Sequence, residues 1–210
     1  MLATILGIGF SGYSIYKKLS VSEIKLDYFD LPQKQVMGSP DTKDTLYFVF
    51  DYTCPACKKW EEEVYPVLYK DLISKEKLNF VSQPIPLLSK ESLKAAEVDY
   101  AVGQLYTSRY YEIQQKLMQD SKSHKDEDKG DWATDQYYER IFTELGEDYE
   151  KIKGVKVPDQ LSMMRNFTKN LGVASVPTVY LNGYKLADPF DINTVKSVID
   201  GKTKLIAEKK

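Results

Sequence analysis

The sequence predicts an α/β domain in which a small sheet is interrupted by a long helical insertion. Three observations carry this. The run Leu46 to Phe50 is continuously apolar, as in a buried strand, and leads within a few residues into a segment of helical periodicity. A second strand signal, Leu78-Asn79-Phe80-Val81, follows that helix. Residues 89–171 are then almost wholly helical in character, and strand signals return only at Val179-Tyr180-Leu181, with Asn182-Gly183 as a hairpin turn.

The chain has 210 residues, enough for one domain with a sizeable core or a domain carrying an insertion. Its formal net charge of −2 is spread over mixed charges, which gives no electrostatic footprint for nucleic acid. The sixteen tyrosines read first as core and half-buried surface.

Met1 to Tyr16 has no charged side chain and ends at Lys17 and Lys18. It is shorter than the roughly 20 residues of a full membrane-spanning helix. Three readings compete: an uncleaved short signal-anchor, a signal peptide with a different start, and a buried or surface helix. Residues 1–18 are assigned as a signal-anchor or signal segment that associates the protein with a membrane. The two lysines on the C-terminal flank of this segment run against export of the downstream chain. Residues 19–34 are expected to be a linker with one short strand near Ile24 to Phe29. Gly38-Ser39-Pro40-Asp41 is a turn signal within the first part of the domain, residues 35–88.

After Phe50, the stretch Asp51-Tyr52-Thr53 connects to Cys54-Pro55-Ala56-Cys57, which opens the helix. A thiol at a helix N-terminus meets free N–H groups and the positive end of the dipole, which favour the thiolate. The second thiol lies one turn further in, close enough to close a disulfide. Pro55 suits the first turn, where its missing N–H costs nothing. Zinc sites use the same spacing, but a structural zinc needs four ligands, and this chain has two Cys and one His. An inert structural disulfide is the blander reading. It closes a very short loop and constrains little of the unfolded chain. No metal and no cofactor is expected.

Trp60, Val64, Val67, Leu68 and Leu72 line one face of the helix, with Glu61, Glu62 and Glu63 mostly on the other sides. Pro66 is expected to kink it. Gln83-Pro84-Ile85-Pro86-Leu87 extends the next strand, and its two prolines predict an edge or a strand end. In the insertion, Ser92 to Gln119 predicts two helices with a break near Thr107 and Ser108. Asp120 to Asp131 predicts a solvated loop carrying the lone His124, read as a surface histidine without a partner cluster. Tyr137, Ile141 and Leu145 mark another helix. One more is expected from Pro158, with Leu161, Met164, Phe167 and Leu171 on one face. The second part of the domain, residues 172–200, runs from Gly172 through the strands to a helix capped by Asp191 and ended by Gly201. The Lys-rich tail, residues 201–210, is expected to fray.

This order of elements resembles a thioredoxin fold with a helical insertion between the second core strand and the strand after Pro177, as in the DsbA-like thiol–disulfide oxidoreductases, and among them the Gram-positive, BdbD-like group. The resemblance covers about Lys34 to Ile199. It rests on Gln35-Val36-Met37-Gly38, on Phe50 to Cys57, on Ser175-Val176-Pro177-Thr178 and on Leu181-Asn182-Gly183. It implies that Cys54 is the nucleophile, that Cys57 resolves, and that Pro177 is a cis proline lying against the pair. X-Pro is the one common place for a cis bond, and an ordinary trans proline at a strand start is the alternative. Beside Cys54, the backbone at Val176 would pair an extended substrate as an added strand, with Pro55 and Ala56 also in contact. The resemblance further implies reduced, unfolded or folding exported proteins as substrates and a membrane redox partner of the quinone-reductase type. It places the protein outside the cytoplasm, anchored or secreted, in a Gram-positive bacterium.

Two departures bear on chemistry. Many relatives carry His or Tyr where this chain has Ala56, and an acid where it has Phe48. Lys58 and Lys59 are available to favour the thiolate, while Glu61 to Glu63 oppose it. A less stabilised thiolate makes a weaker oxidant, so the pair is expected to be less oxidising than a His-containing one. The same atoms serve an oxidase or a reductase. A non-catalytic thioredoxin-like binding module using the aromatic surface is the rival of another class.

Overall fold

The computed structural model describes residues 17–21, 35–159, 162, 166 and 170–207. In chain order the elements are β1 (Lys17–Val21), β2 (Thr45–Phe50), α1 (Pro55–Glu63), α2 (Tyr65–Asp71), β3 (Asn79–Pro84), α3 (Lys90–Leu105), α4 (Tyr110–Asp120), α5 (Asp135–Glu144), α6 (Tyr149–Lys153), β4 (Thr178–Leu181), β5 (Tyr184–Lys185), α7 (Ile192–Ile199) and β6 (Thr203–Ala207).

The predicted buried strand is β2. It lies parallel to β3 and antiparallel to β4 in a sheet of order β3-β2-β4-β5, with Leu46 opposite both Phe80 and Leu181. Side chains alternate along a strand, so β2 feeds two cores. Leu46, Phe48 and Phe50 face the larger, which takes Trp60, Leu68 and the insertion helices. Tyr47 and Val49 face the smaller, with Val81, Ile85, Leu171, Val173 and Tyr180. Trp60 stacks on Phe48 with ring centres 3.9 Å apart and donates from Nε1 to Pro189 O at 2.7 Å. Through that stack, α1 is fixed on the sheet behind the Cys-x-x-Cys.

The edge strand and the break in the insertion are as predicted. β3 is an edge strand that ends on Pro84, and α3 and α4 are separated by a 3₁₀ turn at Thr107–Arg109. Ser89 caps α3 in a reciprocal capping box with Ser92. Asn182 and Gly183 both have positive φ, 54° and 83°, as a tight hairpin turn between twisted strands requires.

Several expectations need correcting. The helix after Cys57 is divided at Val64, and Pro66 falls in the first turn of α2, where no backbone N–H is missed. The short helix α6, capped by the Asp148 side chain, has no counterpart among the predicted elements. The tail does not fray through residues 203–207. It forms β6, paired in parallel with β1, so Leu19 to Val21 of the expected linker and Lys17 and Lys18 of the expected N-terminal segment are strand. Ser162, Asn166 and Asn170 are helical, as expected after Pro158. Leu161, Met164 and Phe167 lie outside the described residues, as do the apolar segment Met1 to Tyr16 and the short strand expected near Ile24 to Phe29. Among the described residues no helix is long and apolar enough to cross a membrane.

Candidate active site

β2 ends at Phe50, and the next three residues carry the chain across the top of the sheet to α1. Asp51 makes this connection rigid. Its side chain is fully buried and takes five hydrogen bonds. Oδ1 accepts from Thr53 N, Thr53 Oγ1 and Ser92 Oγ at 2.7–2.8 Å, and Oδ2 from Leu87 N and Leu88 N at 2.8 and 2.9 Å. These bonds tie the redox loop to the end of β3 and the start of α3. Tyr52 extends the tie by donating to Asp99 of α3 at 2.5 Å.

Cys54 occupies the N-cap of α1, with extended backbone (φ −87°, ψ 113°), and Pro55 is the first helical residue. The amides of Cys57 and Lys58 donate to Cys54 O at 3.0 and 3.1 Å. Pro55 and Ala56 are exposed, whereas Cys57 is fully buried. Both thiols are free, so the geometry is that of the dithiol. The Cys57 thiol donates a hydrogen bond that lowers the pKa of Cys54 to about 7, and the N–H groups of Cys57 and Ala56 add to it, against burial and the charge of Asp51. Burial pushes the Cys57 thiol well above its ordinary value. The two thiols therefore differ in acidity, with Cys54 the readier to ionise.

The strand after the insertion closes the site from the other side. The Val176–Pro177 peptide bond is cis, and both residues are half-buried. Cys54 Sγ lies 3.5 Å from Val176 O. The six site residues predicted from sequence thus fall in one place. Cys54 and Cys57 sit at the head of α1, Pro55 and Ala56 form the exposed shoulder, and Val176 and Pro177 lie across from Cys54.

The charges differ from expectation. Lys58 shares with Cys54 a cavity of about 260 Å³, also lined by Ser121, Ser123 and Asp126, but its Nζ donates to Gln119 O and Ser121 O. Lys59 pairs with Glu63 at 3.7 Å. Burial raises the Glu61 carboxyl to about 8, which weakens its opposition to the thiolate, and Oε1 is buried with no hydrogen-bond partner among the described residues. The position of the absent acid is filled by the Phe48 ring on Trp60.

Sequence reasoning misses two residues of the site. Asp51 reads as mere connection, because a charge in a short link between a strand and a helix gives no local sign that it is buried. His124 reads as a surface residue without partners. Its backbone N–H and its ring both meet Thr53 O, and no local spacing reveals a contact between residues so far apart in the chain.

Residues 30–201 match the family model described as Thioredoxin. The chain is 26% identical over 211 residues to a probable disulfide bond formation protein D of Bacillus cereus, covering 97% of this chain and 93% of the relative. It is 22% identical over 178 residues to disulfide bond formation protein D of Bacillus subtilis, covering 80% and 77%. Among solved structures, oxidised BdbD of Bacillus subtilis superposes with a TM-score of 0.67 at 18% identity, covering 89% of this chain and 98% of that one, which shows the shared fold.

Proposed function

We propose that this chain, which belongs to the thioredoxin family, introduces disulfides into exported proteins through Cys54-Pro55-Ala56-Cys57. It is a protein thiol–disulfide oxidoreductase. The observation that carries the reading is the pairing of a thiol of lowered pKa at a helix N-cap, 3.5 Å from Val176 O at the cis Val176–Pro177 bond, with a buried neighbour whose pKa is raised.

In the oxidising direction the pair starts as a disulfide. A substrate thiolate attacks Sγ of Cys54, the Cys54–Cys57 bond breaks, and Cys57 leaves and takes up a proton. A second substrate thiolate then attacks its own sulfur in the mixed disulfide, and Cys54 leaves as the stabilised thiolate. Two electrons pass from the substrate to the pair. Their onward acceptor is a membrane partner of the quinone-reductase type. The backbone at Val176 pairs an extended substrate, with Pro55 and Ala56 against it. The setting is extracytoplasmic in a Gram-positive cell, the fit being with the disulfide bond formation proteins D of Bacillus, and the segment Met1 to Tyr16 serves as the anchor.

A thiolate near 7 is less stabilised than the roughly 3.5 of a strongly oxidising pair, and it keeps the reducing direction in play. The reduction potential in glutathione or dithiothreitol buffers decides. A value of roughly −120 to −180 mV supports the oxidase, and one near roughly −270 mV replaces it with a thioredoxin-like reductase. A pair that does not cycle, or a Cys54→Ser variant that keeps full function, leaves only a binding module.

A further inference from the structure

The loop that follows α4 meets the Cys-x-x-Cys connection at the carbonyl of Thr53. After α4 the chain returns to the site, and the backbone N–H of His124 donates to Thr53 O at 2.9 Å, while ring Nδ1 lies 3.0 Å from the same oxygen. A carbonyl oxygen only accepts, so Nδ1 carries the proton and both lone pairs of Thr53 O are filled. This oxygen belongs to the peptide plane that ends in the Cys54 amide. The other end of the plane is also held, since Cys54 N donates to Asp51 O at 3.0 Å. The same loop grips α1 through Lys58 Nζ, which donates to Ser121 O at 3.3 Å.

We propose that His124 is a positioning residue of the exchange reaction: it fixes the Thr53–Cys54 peptide plane so that Cys54 Sγ stays on the N–H groups of Ala56 and Cys57. The inference rests on the oxidoreductase reading of the site. Cys54 is the N-cap, so the plane before it lies outside the hydrogen-bond ladder of α1 and is held only by its own partners. Hydrogen bonds to a thiolate are directional, and rotating this plane swings the Cβ–Sγ bond off its donors. The insertion thereby reaches the nucleophile without touching it, from a loop whose sequence looks like solvated connection.

The test compares the reduced full-length protein with His124→Ala and His124→Asn. Iodoacetamide alkylation of Cys54 is followed by mass spectrometry from about pH 5 to 9, a range that brackets a lowered thiol. Thermal unfolding and cycling in glutathione buffer are recorded on the same samples. His124→Ala is expected to move the Cys54 profile to higher pH and slow alkylation at pH 7 by roughly three- to tenfold, the range that one lost hydrogen bond produces. His124→Asn, whose side-chain N–H can meet Thr53 O, is expected to restore most of it. An unchanged profile in His124→Ala overturns the proposal, as does a lowered melting temperature with the Cys54 profile intact, or a failure of His124→Asn to restore. The alkylation profile reads His124 whether or not the pair cycles. A wild-type pair that does not cycle sinks the oxidoreductase reading alone.

Discussion

Among the described residues no salt bridge reaches the buried side chain of Asp51. Five donors converge on its two oxygens, which is how a buried carboxylate survives desolvation. Its field acts on both thiols and disfavours both thiolates. Asp51 therefore plays two opposed parts, ordering the loop that presents Cys54 and restraining the acidity of that thiol. Asp51→Asn separates them. The amide has one accepting oxygen and presents N–H groups to donors, so stability in urea unfolding should fall by about 2–4 kcal/mol. Removing the charge should at the same time move the Cys54 alkylation midpoint to lower pH than in the wild type. A midpoint that stays put or rises in the folded variant contradicts this account of the thiol's acidity.

At the level of elements, legibility in the sequence followed the range of the interactions. Local signals were enough for α1, where Pro55 and the thiol spacing mark a helix start, and for the Asn182-Gly183 hairpin, where the dipeptide supplies the positive φ values. The apolar run Leu46 to Phe50 announced a strand, and the prolines at the end of β3 an edge. What stayed hidden was long-range pairing. β6 reads as a Lys-rich tail because the residues that stabilise it are those of β1, at the other end of the chain. His124 looks solvated because its partner, Thr53, lies 71 residues away in the chain. If β6 is part of the fold, Leu205, which packs half-buried against the main core, contributes to stability. Leu205→Ala should cost about 1–2 kcal/mol, the range for partial loss of a packed side chain. A denaturation midpoint indistinguishable from wild type would mean that the strand adds nothing.

Across the whole molecule, two carboxyls of raised pKa, the buried Asp99 and the half-buried Glu61, couple folding to pH. The Tyr52 and Tyr110 hydroxyls donate to the two oxygens of Asp99 at 2.5 and 2.9 Å, joining the redox loop to α3 and α4. Burial outweighs these bonds and raises Asp99 to about 7, while burial alone raises Glu61 to about 8. Unfolded, such groups lose their protons near pH 4. Between that point and their folded values the native state binds more protons than the unfolded chain, so stability falls as pH rises through the window. Each group contributes a slope of at most about 1.4 kcal/mol per pH unit. Unfolding free energies measured from about pH 4 to 8.5 should decline, and Asp99→Asn and Glu61→Gln should each flatten part of the decline, whatever they do to absolute stability. A wild-type curve that is flat or rises over this window counts against both assignments. The pairing of β1 with β6 acts at the same scale but under a different stress. The two strands are parallel, with Lys17 beside Thr203 and Val21 beside Ala207. Tension applied before Lys17 and after Ala207 therefore pulls them lengthwise in opposite directions. The rungs of the ladder then bear the load together instead of parting one at a time, and the strands that close the chain form a clamp against mechanical force.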